Sequence, residues 1–89
     1  MIRQEFTVNN PSGLHARPAS LFTDALKKHT CTASISCNGK TKNAKSMIGL
    51  LALGIKKGTN FELTLDGEDE VEAIKEITAL VEANFYEGE

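Results

Sequence analysis

Tryptophan is absent from this 89-residue chain; tyrosine occurs once, and proline and cysteine twice each. Two cysteines build no disulfide framework of the kind that staples small secreted folds. If Cys31 and Cys37 share one strand, roughly 20 Å separates them, beyond disulfide reach, and both face one side as buried, inert thiols. A Cys-x-x-Cys pair and a His/Cys cluster are also missing, so nothing points to a metal. His15 and His29 fall at opposite ends of one predicted helix and cannot share an ion. A basic excess is lacking as well. The net charge of −2 argues against a general nucleic-acid binder, which needs a positive stripe. Lys40, Lys42 and Lys45 read instead as a solvated strand and loop. The longest apolar run, Met47 to Ile55, is interrupted by glycine and too short to cross a bilayer. Met1 to Glu5 lacks the apolar centre of a signal peptide. A cytoplasmic protein without membrane insertion is expected.

What is present is ordinary globular material, 40% hydrophobic and 25% charged, enough for one domain over 1–89 with a modest core. Ile2 to Val8 alternates as a strand, breached at Gln4. Asn9-Asn10-Pro11-Ser12-Gly13 is loop chemistry. Ala16 to Lys28 is helical, with Ala19, Phe22 and Leu26 inward and Arg17, Ser20, Asp24 and Lys27 outward. Thr32 to Cys37 alternates, and Asn38-Gly39 predicts a type I′ hairpin into the lysine-rich edge strand Lys40 to Asn43. Ser46 to Leu53 reads as a short helix capped by Ser46 and stopped by Gly54. Phe61, Leu63 and Leu65 mark a further strand. The last helix opens at Asp69, with Glu72 completing a capping box and Val71, Ile74, Ile77 and Val81 as its buried stripe. The order β-α-β-β-α-β-α predicts an α+β fold: one antiparallel sheet with helices on one face and water on the other.

The stretch "GLHARPAS", Gly13 to Ser20, departs from helix convention. Pro18 suits a first helical turn, yet the residues just before it offer no Ser, Thr, Asp or Asn cap. They offer Leu14, His15, Ala16 and Arg17. Histidine is a nitrogen nucleophile near neutral pH, and its phosphorylated form is a labile phosphoramidate suited to passing the group on. A phosphate on His15 would take the cap's place, hydrogen-bonded by the amides of Ala16 and Arg17 and contacted by the Arg17 guanidinium. A surface histidine beside an Arg-Pro dipeptide would look the same locally, and residues 12–20 hold no carboxylate to orient the ring.

Ser46 is fully explained as a cap. A phosphoryl group there would also sit at a helix start, with Lys45 alongside, and would repel an acidic partner. Met47 to Leu53 is apolar all round, and a short helix on a sheet cannot bury every side. Some of Met47, Ile48 and Leu51 therefore face solvent as a docking patch, unless a loop covers them.

"GLHARPAS" together with "NGKTKNAKSMIGLLALGIKKG" resembles the HPr family, the histidine-containing phosphocarriers of the phosphoenolpyruvate:sugar phosphotransferase system. The likeness runs over essentially the whole chain. It implies an open-faced β-sandwich of four antiparallel strands with three helices on one face. His15 matches the histidine phosphorylated by enzyme I and discharged to IIA proteins of sugar permeases, and Arg17 the arginine that stabilises the phosphate. Ser46 matches the serine modified by an HPr kinase/phosphorylase, whose product acts with a catabolite-control transcription factor. Met47, Ile48 and Leu51 match the apolar contact surface, and Ser20 and Lys27 lie on the helical part of it. Ser20 and Asp24 stand where many relatives carry bulky or basic residues. The resemblance implies a monomeric carrier without a cofactor, more a substrate of its partners than a stand-alone enzyme. Two rivals remain: a regulatory binding module with His15 silent, and a carrier of the nitrogen-type branch.

Overall fold

The computed structural model describes residues 1–86. Asn38 and Gly39 both take positive φ, 52° and 80°, as a two-residue hairpin requires. They join β2 (Thr32–Cys37) to β3 (Lys40–Asn43), whose four residues are all exposed at the sheet edge. β1 (Ile2–Thr7) and β4 (Asn60–Asp66) complete an antiparallel sheet in the order β1-β4-β2-β3. The pairing sets Phe6 opposite Phe61, and Ile35 opposite Leu63. One face of the sheet is thus an apolar row, with Ala33, Ile35, Cys37, Phe61, Leu63 and Leu65 all buried. The other face carries Thr, Ser, Glu and Asn side chains in partial or full contact with water. Gln4 shares the inward parity but stays exposed.

Three helices, α1 (Ala16–Lys27), α2 (Met47–Ala52) and α3 (Glu70–Glu82), pack on the apolar side. α1 buries Pro18, Ala19, Phe22, Thr23, Ala25 and Leu26, the stripe its sequence pattern predicts. All four phenylalanines join in one chain of ring contacts, Phe6–Phe61 at 5.5 Å, Phe61–Phe22 at 5.8 Å and Phe22–Phe85 at 6.4 Å between centroids. Phe85 reaches this core from a 3-10 turn, Asn84–Tyr86, in which all three residues have positive φ. No sequence signal marks that turn.

The sequence reading of α3 needs two corrections. Val71 is 52% exposed, and the buried stripe is Ala73, Ile77, Leu80 and Val81, with Ile74 half-buried. At about 100° per residue, Val71 lies roughly 200° from Ala73 and so on the opposite face. The capping box does not form either. Asp69 is the N-cap residue but makes no side-chain cap bond. Its carboxylate is drawn off to the loop after α1, accepting the backbone N–H groups of Thr30 at 2.8 Å and Cys31 at 2.9 Å. Glu70 instead accepts from Gly67 N–H at 3.0 Å. Cys31 lies just before β2 and Cys37 at its end; both are buried and free. No helix among the described residues is long and apolar enough to cross a membrane.

Candidate functional site

α1 begins at Ala16, which makes His15 its N-cap residue, with extended backbone angles (φ −87°, ψ −165°). The His15 carbonyl accepts the first helical bond, from Ala19 N–H at 2.7 Å. Its side chain makes no capping bond and is exposed to solvent, as are Ala16 and Arg17. Ala16 and Arg17 have no helical carbonyl four residues back to donate to, and Pro18 has no N–H. No acidic residue occupies the first turn. The helix start therefore offers two amides and the positive end of the helix, with the exposed His15 imidazole at the cap and the exposed Arg17 two positions on, residues suited to a dianion.

The loop that leads to His15 rests on the chain leaving α2. Leu14 N–H donates to the Ile55 carbonyl at 3.0 Å, and both residues are buried. Gly13 adopts φ +67°, and a Cβ there would lie 2.7 Å from the Ile55 oxygen, so only glycine fits this close approach. On α2 itself Ile48 is 83% exposed and Leu51 41%, while Met47 is half-buried. Ile48 and Leu51 thus form an uncovered apolar patch on α2.

Ser46 stands at the other end of α2, about 9 Å away along the helix. Its hydroxyl oxygen accepts from Gly49 N–H at 3.1 Å, so it caps α2 as its sequence position predicts. Lys45 does not attend it. The Lys45 ammonium donates to the His29 carbonyl at 2.7 Å, because the carbonyls ending α1 attract a cation. Ser20 and Lys27 both lie on the solvent side of α1; the Ser20 hydroxyl donates to Asp24 at 3.4 Å. Lys27 is in the last turn, about 18 Å from His15 along the axis. A partner reaching both would have to lie along the whole helix.

Two features escape sequence reasoning. His29 sits between Asp69 and Glu76, at 3.3 Å and 2.9 Å from its ring nitrogens, a cluster assembled from residues 40 and more positions apart. Asn10 is fully buried within the loop that leads to His15. Its position in an Asn-Asn-Pro stretch signals a turn but says nothing of burial.

The class these features define is a small open-faced β-sandwich that presents a histidine at the amino end of its first helix. A family model described as "PTS HPr component phosphorylation site" matches residues 2–83. Phosphocarrier protein HPr of Neisseria meningitidis is 38% identical over 89 residues, covering all of both chains. The HPr-like protein Crh of Bacillus subtilis is 39% identical over 82 residues, 92% of this chain and 96% of Crh. A solved structure of HPr from Thermoanaerobacter tengcongensis, 37% identical and fully covered on both sides, superposes with a TM-score of 0.97. An HPr dimer from the same organism, also fully covered at 38% identity, superposes at 0.77. The chain belongs to the HPr family, the phosphocarriers of the phosphotransferase system, and its partners are drawn from that system.

Proposed function

We propose that His15 accepts a phosphoryl group from phospho-enzyme I, charged by phosphoenolpyruvate, and passes it to IIA proteins of sugar permeases. The observation that carries this reading is the exposed imidazole at the N-cap of α1, unspent on capping and flanked by the Ala16 and Arg17 amides. One ring nitrogen of His15 attacks phosphorus in line. The P–N bond on the donor histidine breaks as the bond to His15 forms. The Arg17 guanidinium and the helix start hold the dianion, and the partners supply the rest of the site. Met47, Ile48, Leu51, Ser20 and Lys27 form the docking face. The carrier works as a monomeric cytoplasmic domain, residues 1–89, and needs no cofactor of its own. Incubation with phosphoenolpyruvate and enzyme I labels the protein once, with an acid-labile, alkali-stable adduct that His15→Ala abolishes. No label on the wild type, or label persisting in His15→Ala, overturns the proposal.

A regulatory role joins this one, supported by the 39% identity to Crh and by Ser46 standing at the start of α2. An HPr kinase/phosphorylase modifies Ser46, and the product acts with a catabolite-control transcription factor. ATP and the kinase should give an acid-stable adduct that Ser46→Ala loses; persistence of that label removes Ser46 from the scheme.

A further inference from the structure

The loop carrying His15 is pinned at both roots to the segment between α2 and β4. At its start, Val8 N–H donates to the Thr59 carbonyl at 3.0 Å and Gly58 N–H to the Val8 carbonyl at 2.7 Å. At its end, Leu14 N–H reaches Ile55. Between these roots the chain closes on Asn10. Gly13 N–H donates to the Asn10 carbonyl at 3.1 Å, and the Asn10 side-chain amide donates from Nδ2 to the Gly13 carbonyl at 2.7 Å. The same two residues are thus tied twice. Asn10 has 0% exposure, and the Gly13 backbone is pressed against Ile55 and Lys56, with a Cβ at 13 lying 2.9 Å from Lys56 Cα.

Burying a side-chain amide is costly unless its polar atoms are engaged, and a buried carbonyl needs a donor. The Asn10 Nδ2 group supplies that donor at the carbonyl two residues before His15 and is itself engaged by it. Backbone bonds at Val8, Leu14 and Gly13 fix where the turn lies. The Gly13–Leu14 peptide is one planar unit, held at its N–H by Ile55 and at its carbonyl by the Asn10 amide; the second hold keeps the plane from tilting, and so sets the direction in which residues 14 and 15 leave it. We propose that Asn10 is a positioning residue for phosphoryl transfer: its buried amide aims the peptide that presents His15. This rests on the reading of His15 as the phosphoryl acceptor. Asn10 acts through the Gly13 carbonyl. It acts on the alignment that in-line displacement requires, where a misplacement of about 1 Å costs up to roughly 100-fold in rate.

The test compares Asn10→Ala with Ile77→Val, a core change in α3 that supplies a modest loss of stability without touching the Asn10–Gly13 turn. Both are assayed with phosphoenolpyruvate and enzyme I at a temperature where circular dichroism shows each to be folded. Asn10→Ala should lower kcat for His15 phosphorylation roughly 10- to 100-fold while KM stays near the wild-type value; Ile77→Val should change neither. In parallel, the ¹H–¹⁵N resonances of the His15 ring should shift in Asn10→Ala and remain in place in Ile77→Val. Should Asn10→Ala fail to fold, Asn10→Ser, which also removes the Nδ2 donor but keeps a polar side chain, carries the same expectation. Wild-type kcat and unshifted ring resonances in a folded variant overturn the inference. If the wild type takes no phosphoryl group at all, the phosphocarrier reading falls, and the ring spectra still decide the role of Asn10.

Discussion

The backbone N–H of Thr30 donates to Oδ2 of Asp69 at 2.8 Å, tying the loop after α1 to the start of α3. The bond to Thr30, joined by those from Cys31 and His29, holds the Asp69 carboxyl at about 2, well below its ordinary value. Glu76 is lowered too, by Lys28 first and His29 second. A depressed carboxyl stabilises the fold above the unfolded carboxylate range near pH 4 and loses that contribution as pH falls through the folded value. Asp69→Asn should therefore lower the unfolding midpoint at pH 6, and the gap to the wild type should close between about pH 4 and 2. Thermal melts across that range check it; a gap that stays constant would remove Asp69 as the acid-sensitive clamp.

The hydroxyl of Ser46 carries the N-cap bond of α2, and loss of such a cap costs about 1 kcal/mol. Ser46→Ala should be destabilised by that amount in urea titrations, whereas Ser46→Asp, which retains an acceptor, should lose less. Equal losses in the two variants would show that capping is not what Ser46 contributes.

Ile48, at 83% exposure, gives little to folding. Ile48→Ser should leave stability within about 0.5 kcal/mol of the wild type. If the α2 patch is a docking face, the same change should weaken binding to enzyme I about tenfold, read by calorimetric titration. Unaltered affinity would move the interface elsewhere.

The two faces of α3 separate under mutation. Ile77 is fully buried, so Ile77→Ala should cost about 2–5 kcal/mol. Val71→Ala, on the opposite face, should stay within about 0.5 kcal/mol. Comparable losses at both positions in denaturant titrations would contradict the observed helix orientation.

Much of the fold was legible because its signals are local. Asn38-Gly39 specifies positive φ at both central hairpin positions. Ser46 caps the helix it precedes, and the strand residues around Ile35 and Leu63 alternate with the pleat. The reading failed where two patterns competed. Val71, Ile74, Ile77 and Val81 also keep helical spacing, and only the packing of α3 selects the face through Ala73 and Leu80. Asp69 followed by Glu72 fits a capping box, yet the amides of Thr30 and Cys31 claim its carboxylate from nearly 40 positions away. Adjacency in the chain puts Lys45 beside Ser46; a carbonyl 16 positions earlier holds its ammonium instead.

The candidate site divides in the same way. The chain by itself determined that an imidazole, a guanidinium and a proline meet at the start of a helix, since their consecutive order suffices. Only the tertiary structure decided that Asn10 is buried and holds the Gly13 carbonyl, and that Ile55, in the chain leaving α2, receives the Leu14 amide. The Leu14–Ile55 contact joins segments 41 residues apart, and its energy depends on which surfaces the sheet order brings together.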